Sequence, residues 1–276
     1  MLRGVDRCPL CSSGNVAAAF PGYERVLRCG ECGVGWTVGP GQSPPTYDEG
    51  FFGGDYYTAY FERAGQWRHE ASLRLRWLVG ARRPSTLLEI GCGGGYFLEA
   101  ARAAGIDVRG VEPAADGAEH ARSSLGLAVT TGRFEDVPLQ ARLDAVCAFH
   151  VLEHVDDPPA FLSRARGLLA DGGLLALEVP NLDSARARRD RERWFNLVPD
   201  YHLWHFAPAS LAPLVERAGF GRLAIDTAFP RHYLRVRRAA SRSGLRALVA
   251  DLRAAPTPRR THPVAGDYLR LLATAV

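Results

Sequence analysis

Lysine is absent: all 34 basic residues of the 276-residue chain are arginine, and methionine occurs once. With so much alanine, glycine and leucine, this reads as a composition bias and not as selection for phosphate contacts. No apolar run approaches the ~20 residues that span a bilayer. Residues 1–6 lack the apolar stretch of a secretory leader. A cytoplasmic protein with no membrane association is therefore expected. Charge of one sign is also scarce, since 34 arginines face 30 acidic residues for a net +4. That balance argues against a nucleic-acid partner. There is no internal repeat and no heptad run. What remains is 47% apolar and 23% charged, the balance of a globular protein, which excludes a disordered chain, a fibre and a disulfide knot. The length accommodates one large domain plus a small module.

Four of the six cysteines lie in the first 32 residues. Cys8-Pro-Leu-Cys11 and Cys29-Gly-Glu-Cys32 are 17 residues apart, within the window of a zinc ribbon. Each Cys-x-x-Cys turn presents two thiolates to one tetrahedral ion. Four cysteinates leave no open position, so the expected Zn²⁺ is structural and folds a segment too short to hold its own core. A docking role for the module toward a substrate or partner is the alternative. Cys92 and Cys147 sit in apolar strand-end contexts and read as buried thiols.

From Thr86 onward short apolar runs alternate with amphipathic stretches. Strands are expected over 86–90, 108–112, 127–131, 143–149, 174–179 and 221–228. Helices are expected over 67–79, 96–104, 115–125, 161–169 and 211–218. This order predicts a Rossmann-like α/β fold, a mostly parallel sheet with helices on both faces, plus the small N-terminal zinc ribbon. Ligands in such sheets bind beyond the carboxyl ends of the strands. The chain divides into a ribbon-like module at 1–45, an aromatic lead-in at 46–83, a core at 84–230 and an Arg/Ala-rich extension at 231–276, with a possible helix over 233–253.

The central motif is Leu87-Leu-Glu-Ile-Gly-Cys-Gly-Gly-Gly-Tyr-Phe97, a strand running into glycines and then a helix. Glycines let backbone approach a ligand closely. A dinucleotide fingerprint needs glycine at position 96, where this chain has Tyr96. Glu89 suits a ligand carrying an ammonium group. Glu112, at the end of the next strand, suits the two hydroxyls of a ribose.

These residues, with Gly132-Arg-Phe-Glu-Asp-Val-Pro-Leu139, Asp144-Ala-Val-Cys-Ala-Phe-His-Val-Leu-Glu-His-Val155 and Asp171-Gly-Gly-Leu-Leu-Ala-Leu-Glu-Val-Pro-Asn181, resemble the class I S-adenosylmethionine-dependent methyltransferases. The resemblance implies S-adenosyl-L-methionine as cofactor. It places Gly91 and Gly93 against the methionine part, Glu89 near its ammonium and Glu112 on the ribose. Phe134 and Glu135 flank the adenine, and Phe149 and His150 line the methionine tail. Tyr56 and Tyr57 fall where relatives close a lid. A four-cysteine N-terminal module also occurs in deoxysugar C-methyltransferases of this superfamily.

Methyl transfer to an oxygen or an enolisable carbon requires a general base, and histidine is the usual choice. His150-Val-Leu-Glu-His154 places two imidazoles at i and i+4, just past a strand. His154 is the first candidate and His150 the second. The same pattern is a metal-ligand pattern. Asp200-Tyr-His-Leu-Trp-His-Phe206 offers His202 and His205 as further catalytic candidates. The run 186–193 reads as a solvated helix face. The favoured function is methyl transfer to an oxygen or carbon of a small-molecule acceptor, sugar-like or a secondary metabolite, with a histidine base. An RNA methyltransferase gripping its substrate with the ribbon is one alternative. Phe149-His150 in place of a polar-Pro-Pro-aromatic motif counts against it. A cofactor-binding scaffold without turnover is the other.

Overall fold

The computed structural model describes residues 6–39, 51–52, 59–229 and 265–276. Two sheets organise them. The large one contains β4 (Thr86–Ile90), β5 (Asp107–Glu112), β6 (Val129–Thr131), β7 (Leu143–Phe149), β8 (Leu169–Pro180), β10 (Phe220–Ala228) and β11 (Tyr268–Ala275). Its strand order is β10-β11-β8-β7-β4-β5-β6. The five strands from β8 to β6 run parallel, while β11 is antiparallel to both of its neighbours.

Strand alternation explains how both faces are covered. Leu88, Ile90, Val146 and Ala148 point to one side, where Phe161 and Leu162 of α4 (Pro158–Leu168) and Leu211 and Leu214 of α5 (Pro208–Arg217) meet them. Leu87, Ala145 and Cys147 point to the other. There they pack with Leu78 of α1 (Ala64–Ala81), Phe97 and Leu98 of α2 (Tyr96–Ala103) and Ala118 of α3 (Ala115–Ser123). Burying a leucine on either face is worth roughly 1.5–3 kcal/mol. Cys92 and Cys147 are buried, and desolvation pushes both thiols well up, which keeps them protonated.

The sheet does not end at β10. Residues 268–275, assigned from sequence to an extension outside the core, are its sixth strand in spatial order from the β6 edge, lodged between β8 and β10. Tyr268-Leu-Arg-Leu-Leu-Ala-Thr-Ala275 has no alternating pattern because both faces are largely buried. The helix expected over 233–253 lies outside the described residues.

The second sheet is smaller. The strands β1 (Val16–Phe20), β2 (Tyr23–Cys29) and β3 (Gly35–Thr37) form an antiparallel meander. Its fourth strand, β9 (Trp204–His205), comes from the core and pairs antiparallel with β3. Among the described residues no helix is long and apolar enough to cross a membrane.

Candidate active site

A cavity of about 880 Å³ opens at the carboxyl ends of β4, β5, β7 and β8, a size and position usual for a ligand site. One end is built by the glycine loop. Gly91 has φ +68°, and a Cβ there would stand 2.5 Å from Val151 Cγ2. Gly93 has φ +52°, and a Cβ there would stand 2.8 Å from the Tyr60 hydroxyl. Both positions require glycine because a side chain would be strained and would fill the cradle.

Glu112 closes this loop from within. Its Oε2 accepts from the Gly93 amide at 2.6 Å and its Oε1 from the Ala114 amide at 2.9 Å. Burial pushes its carboxyl up to about 7 against the lowering effect of those two amides. Glu89 is buried as well, and its Oε2 has no hydrogen-bond partner among the described residues. Desolvation pushes its carboxyl well up, Arg74 opposes that, and Glu112 adds to it. An orphaned buried carboxyl oxygen calls for a donor, and an ammonium group would supply one.

Phe134 lines the cavity and packs edge-on against Phe161 at 5.0 Å, with the Arg164 guanidinium over its ring. Glu135 also lines it, and Arg133 bridges toward Glu135 at 3.7 Å and Asp156 at 3.1 Å. Phe149 meets Phe97 edge-on at 4.9 Å, and Arg74 lies over its face at 4.8 Å. Tyr56 and Tyr57 lie outside the described residues. Two other members of the same aromatic segment, Phe52 and Tyr60, cover the glycine loop. The Phe52 amide donates to Asp116 at 2.9 Å, and the Gly94 amide donates to the Tyr60 hydroxyl at 3.3 Å.

The histidines separate into distinct environments. His150 is a held cation: Nδ1 faces Glu153 at 3.2 Å and Nε2 faces Glu178 at 3.3 Å. Burial opposes its charge, but the two glutamates prevail and bring it to about 9. It has no free lone pair near neutrality. Arg74 and Arg270 also bind Glu178, whose carboxyl they hold well below the usual range despite burial. Arg74, Glu178 and Arg270 were not singled out from sequence, because the charge cluster forms only when α1, β8 and β11 meet.

His154 is different. Its Nδ1 lies 2.9 Å from the Tyr201 carbonyl, which can only accept, so Nδ1 carries the proton and Nε2 keeps its lone pair. Burial holds its pKa below the ordinary value, and His150 lowers it further against the influence of Glu153. His202 repeats the arrangement, with Nδ1 3.0 Å from the Asn196 carbonyl. Burial and the neighbouring imidazoles of His154 and His205 keep it neutral. One possible ligand atom from each of Glu153, His154 and His202 lies within 4.8 Å of the others, close enough to share an acceptor's polar group or a divalent cation. Glu153 Oε2 is buried and has no hydrogen-bond partner among the described residues. His205 is not part of this cavity. It sits on β9, its Nε2 3.0 Å from the Thr37 hydroxyl, and burial lowers its pKa to about 3.

The four N-terminal cysteines form a second centre. Cys8 and Cys32 sulfurs stand 3.6 Å apart, as do those of Cys11 and Cys29. All four lie within 4.8 Å of one another. Four metal–sulfur bonds of ~2.3 Å in a tetrahedron require sulfurs a little under 4 Å apart, so the set fits one zinc ion. The amides of Glu31 and Cys32 approach Cys29 Sγ at 3.4 and 3.5 Å. Burial raises the Cys29 thiol, but these amides and the neighbouring cysteines outweigh it and bring the group to about 7.

Comparison with known proteins agrees with this geometry. A family model described as "Methyltransferase domain" matches residues 57–224. The ubiquinone biosynthesis O-methyltransferase of Nitrobacter winogradskyi is 34% identical over 162 residues, covering 53% of this chain and 59% of that protein. The mitochondrial ubiquinone biosynthesis O-methyltransferase of Candida albicans is 35% identical over 123 residues, covering 41% and 36% respectively. The match thus spans at most about 59% of the length of these curated relatives. Among solved structures, a possible histamine N-methyltransferase from Thermotoga maritima superimposes with a TM-score of 0.57 at 22% identity, covering 80% of this chain and 97% of that one. A phosphoethanolamine N-methyltransferase 2 of Haemonchus contortus, in complex with S-adenosyl-L-methionine, gives a TM-score of 0.57 at 14% identity, covering 84% and 60%. At such identities the structures speak for the fold alone. The family match over more than half of its length makes this chain a member of the methyltransferase-domain family, with a Rossmann-like fold.

Proposed function

We propose that the protein methylates a hydroxyl oxygen of a small-molecule acceptor, with His154 as the general base. The observation that carries this reading is the pairing of His154 Nδ1 with the Tyr201 carbonyl, which leaves Nε2 as a lone-pair acceptor on a cavity-lining residue. The curated relatives named as O-methyltransferases favour oxygen over carbon. The cofactor, when bound, supplies an electrophilic methyl group on a sulfonium.

The chain's own residues divide the remaining work. Glu89 takes the cofactor's ammonium, Glu112 its ribose hydroxyls, and Gly91 and Gly93 let the backbone approach its methionine part. Phe134 and Glu135 flank its adenine, and Phe149 lines the tail. His154 Nε2 takes the acceptor's hydroxyl proton as the oxygen gains the methyl group. Glu153 and His202, on the same wall, accept from a second donor group of the acceptor molecule. His150 is assigned no proton transfer; its Nδ1, 3.2 Å from Glu153, holds that side chain in place. Such a base is worth roughly 100- to 10,000-fold in rate, and the cofactor's reactivity leaves alignment as the protein's other task. The four cysteines hold a structural zinc ion. The parts divide into a ribbon at 1–45, a lead-in at 46–83 and a core that starts at 84 and includes the final strand.

The test is turnover of His154→Ala and His154→Gln across a panel of phenolic, sugar and hydroxy-acid acceptors, with cofactor affinity measured by calorimetry. Loss of turnover at unchanged affinity is expected. Wild-type rates in both variants would remove His154 from the chemistry.

A further inference from the structure

The ribbon touches the core at a particular place. Its β3 pairs with β9 through Gly35 opposite His205 and Trp36 opposite Trp204. Gly35 makes this approach possible, since a Cβ there would stand 3.0 Å from Leu182 and 3.1 Å from the His205 side chain. At the end of β3, Thr37 is fully buried. Its amide donates to the Leu203 carbonyl at 3.1 Å, and its hydroxyl donates to the His202 carbonyl at 2.7 Å. The same oxygen accepts from His205 Nε2 at 3.0 Å.

From there the contacts lead to the acceptor side of the cavity. The amides of Leu203 and Trp204 both donate to the Glu153 carbonyl, at 2.8 and 3.0 Å. Trp204 Nε1 donates to the Val155 carbonyl at 2.9 Å. His154, between those two residues, holds the Tyr201 carbonyl. Two ion pairs brace the flanks, Arg28 with Asp183 in bidentate fashion at 2.7 and 2.9 Å and Arg25 with Asp200 at 2.8 Å. The cysteine knuckle sets the start of β3, because the Cys29 amide donates to the Val34 carbonyl and the Gly33 amide returns to the Cys29 carbonyl.

We propose that the ribbon is a positioning element for the acceptor wall, acting through Thr37 on residues 202–205 and through them on Glu153 and His154. The proposal rests on the acceptor-side reading above. A module that served only to fold itself would have no use for a desolvated hydroxyl committed to two groups of the wall, since burying such a hydroxyl is unfavourable unless it is fully bonded. The glycine loop shares none of these contacts. Disturbing the ribbon therefore changes the geometry at His154 and His202 and leaves cofactor binding alone. Thr37 is thus a positioning residue, not a catalytic one.

The experiment uses metal-loaded protein saturated with S-adenosylhomocysteine and carrying ¹³C at histidine Cε1. The His154 and His202 signals are assigned by substitution. Thr37→Val, which keeps the shape and removes the hydroxyl, is expected to shift both signals and to raise hydrogen exchange over 198–206. Metal content and calorimetric affinity for S-adenosylhomocysteine stay at wild-type values, and Thr37→Ser restores the wild-type spectrum. Stripping the metal from the wild-type protein with a chelator provides a second route and shifts the same two signals even if the valine variant does not fold. Unmoved His154 and His202 signals in either arm, or a serine variant as perturbed as valine, would overturn the proposal. A failure of the base assignment would appear only in the turnover of His154 variants and would leave this spectral coupling intact.

Discussion

The two ends of the cavity are built in opposite ways. The end proposed for the cofactor draws mostly on consecutive sequence: β4, the glycine loop, α2 and β5 follow one another within residues 86–112, and Phe134, Glu135 and Phe149 are added from later in the chain. The acceptor end gathers residues 35–37, 150–155 and 196–205 with Arg74 and Tyr268. The first arrangement is local and glycine-dependent. The second depends on long-range pairing, so its chemistry is set by neighbours distant in the chain. Substitutions at the two ends should therefore fail differently, in binding at one and in turnover at the other.

The largest effect is expected from His154→Ala, a fall in turnover of roughly 100- to 10,000-fold with cofactor affinity intact. A matching loss of affinity would erase the division between the two ends. Next comes Glu112→Ala. It removes the carboxylate proposed to hold the cofactor's ribose and takes away the acceptor of the Gly93 and Ala114 amides. Charge-assisted bonds of ~1.5–3 kcal/mol each make the expected rise in dissociation constant on the order of 100-fold. Its pH dependence sharpens the point. Ribose hydroxyls need the ionised carboxyl, so cofactor affinity in the wild type falls as pH drops through about 7. A flat calorimetric profile between pH 6 and 8 would contradict this.

A third substitution, Cys29→Ser, should abolish stoichiometric zinc in native mass spectrometry and lower turnover while sparing cofactor affinity. Retention of one ion per chain would break the four-cysteine assignment. The smallest effect concerns His150. Its pKa is raised from 6.5 to about 9 in the fold. Its contribution to stability is therefore complete below pH 6.5 and disappears as pH rises through about 9. The melting temperature of the wild type should drop by a few degrees more than that of His150→Gln between pH 7 and 10. Parallel pH profiles of the two proteins in calorimetric melting would show that His150 is not held as a cation.

The same contrast explains what was legible in the sequence. Thr86–Ile90 and Asp107–Glu112 announce themselves as apolar runs, and Gly91, Gly93 and Glu112 follow at fixed offsets, so the glycine-loop end of the cavity could be located in the sequence. On paper His150 and His154 differ only in rank as candidate bases, one three residues before Glu153 and the other next to it. Only Glu178, 28 residues onward, turns the first into a fixed cation, and only the Tyr201 carbonyl sets the tautomer of the second. His202 and His205 are likewise indistinguishable in sequence. The pairing of β9 with β3 directs His205 to Thr37 and leaves His202 on the cavity. The strand β11 was missed because a segment buried on both faces carries no alternation, and it follows an Arg/Ala-rich stretch that reads as helix. The ribbon was recognised from cysteine spacing alone, but nothing in that spacing says where the module attaches.

The position of β11 has a consequence for how the protein is made. β8 and β10 do not touch as neighbours; residues 268–275 stand between them. During synthesis the ribosome releases every parallel strand well before the piece that joins them to β10. Until then β8 presents an open, apolar hydrogen-bonding edge, the kind of edge that invites self-association. A chain cut short before residue 265 would carry the entire cofactor end and still be left with that exposed seam, aggregating instead of binding.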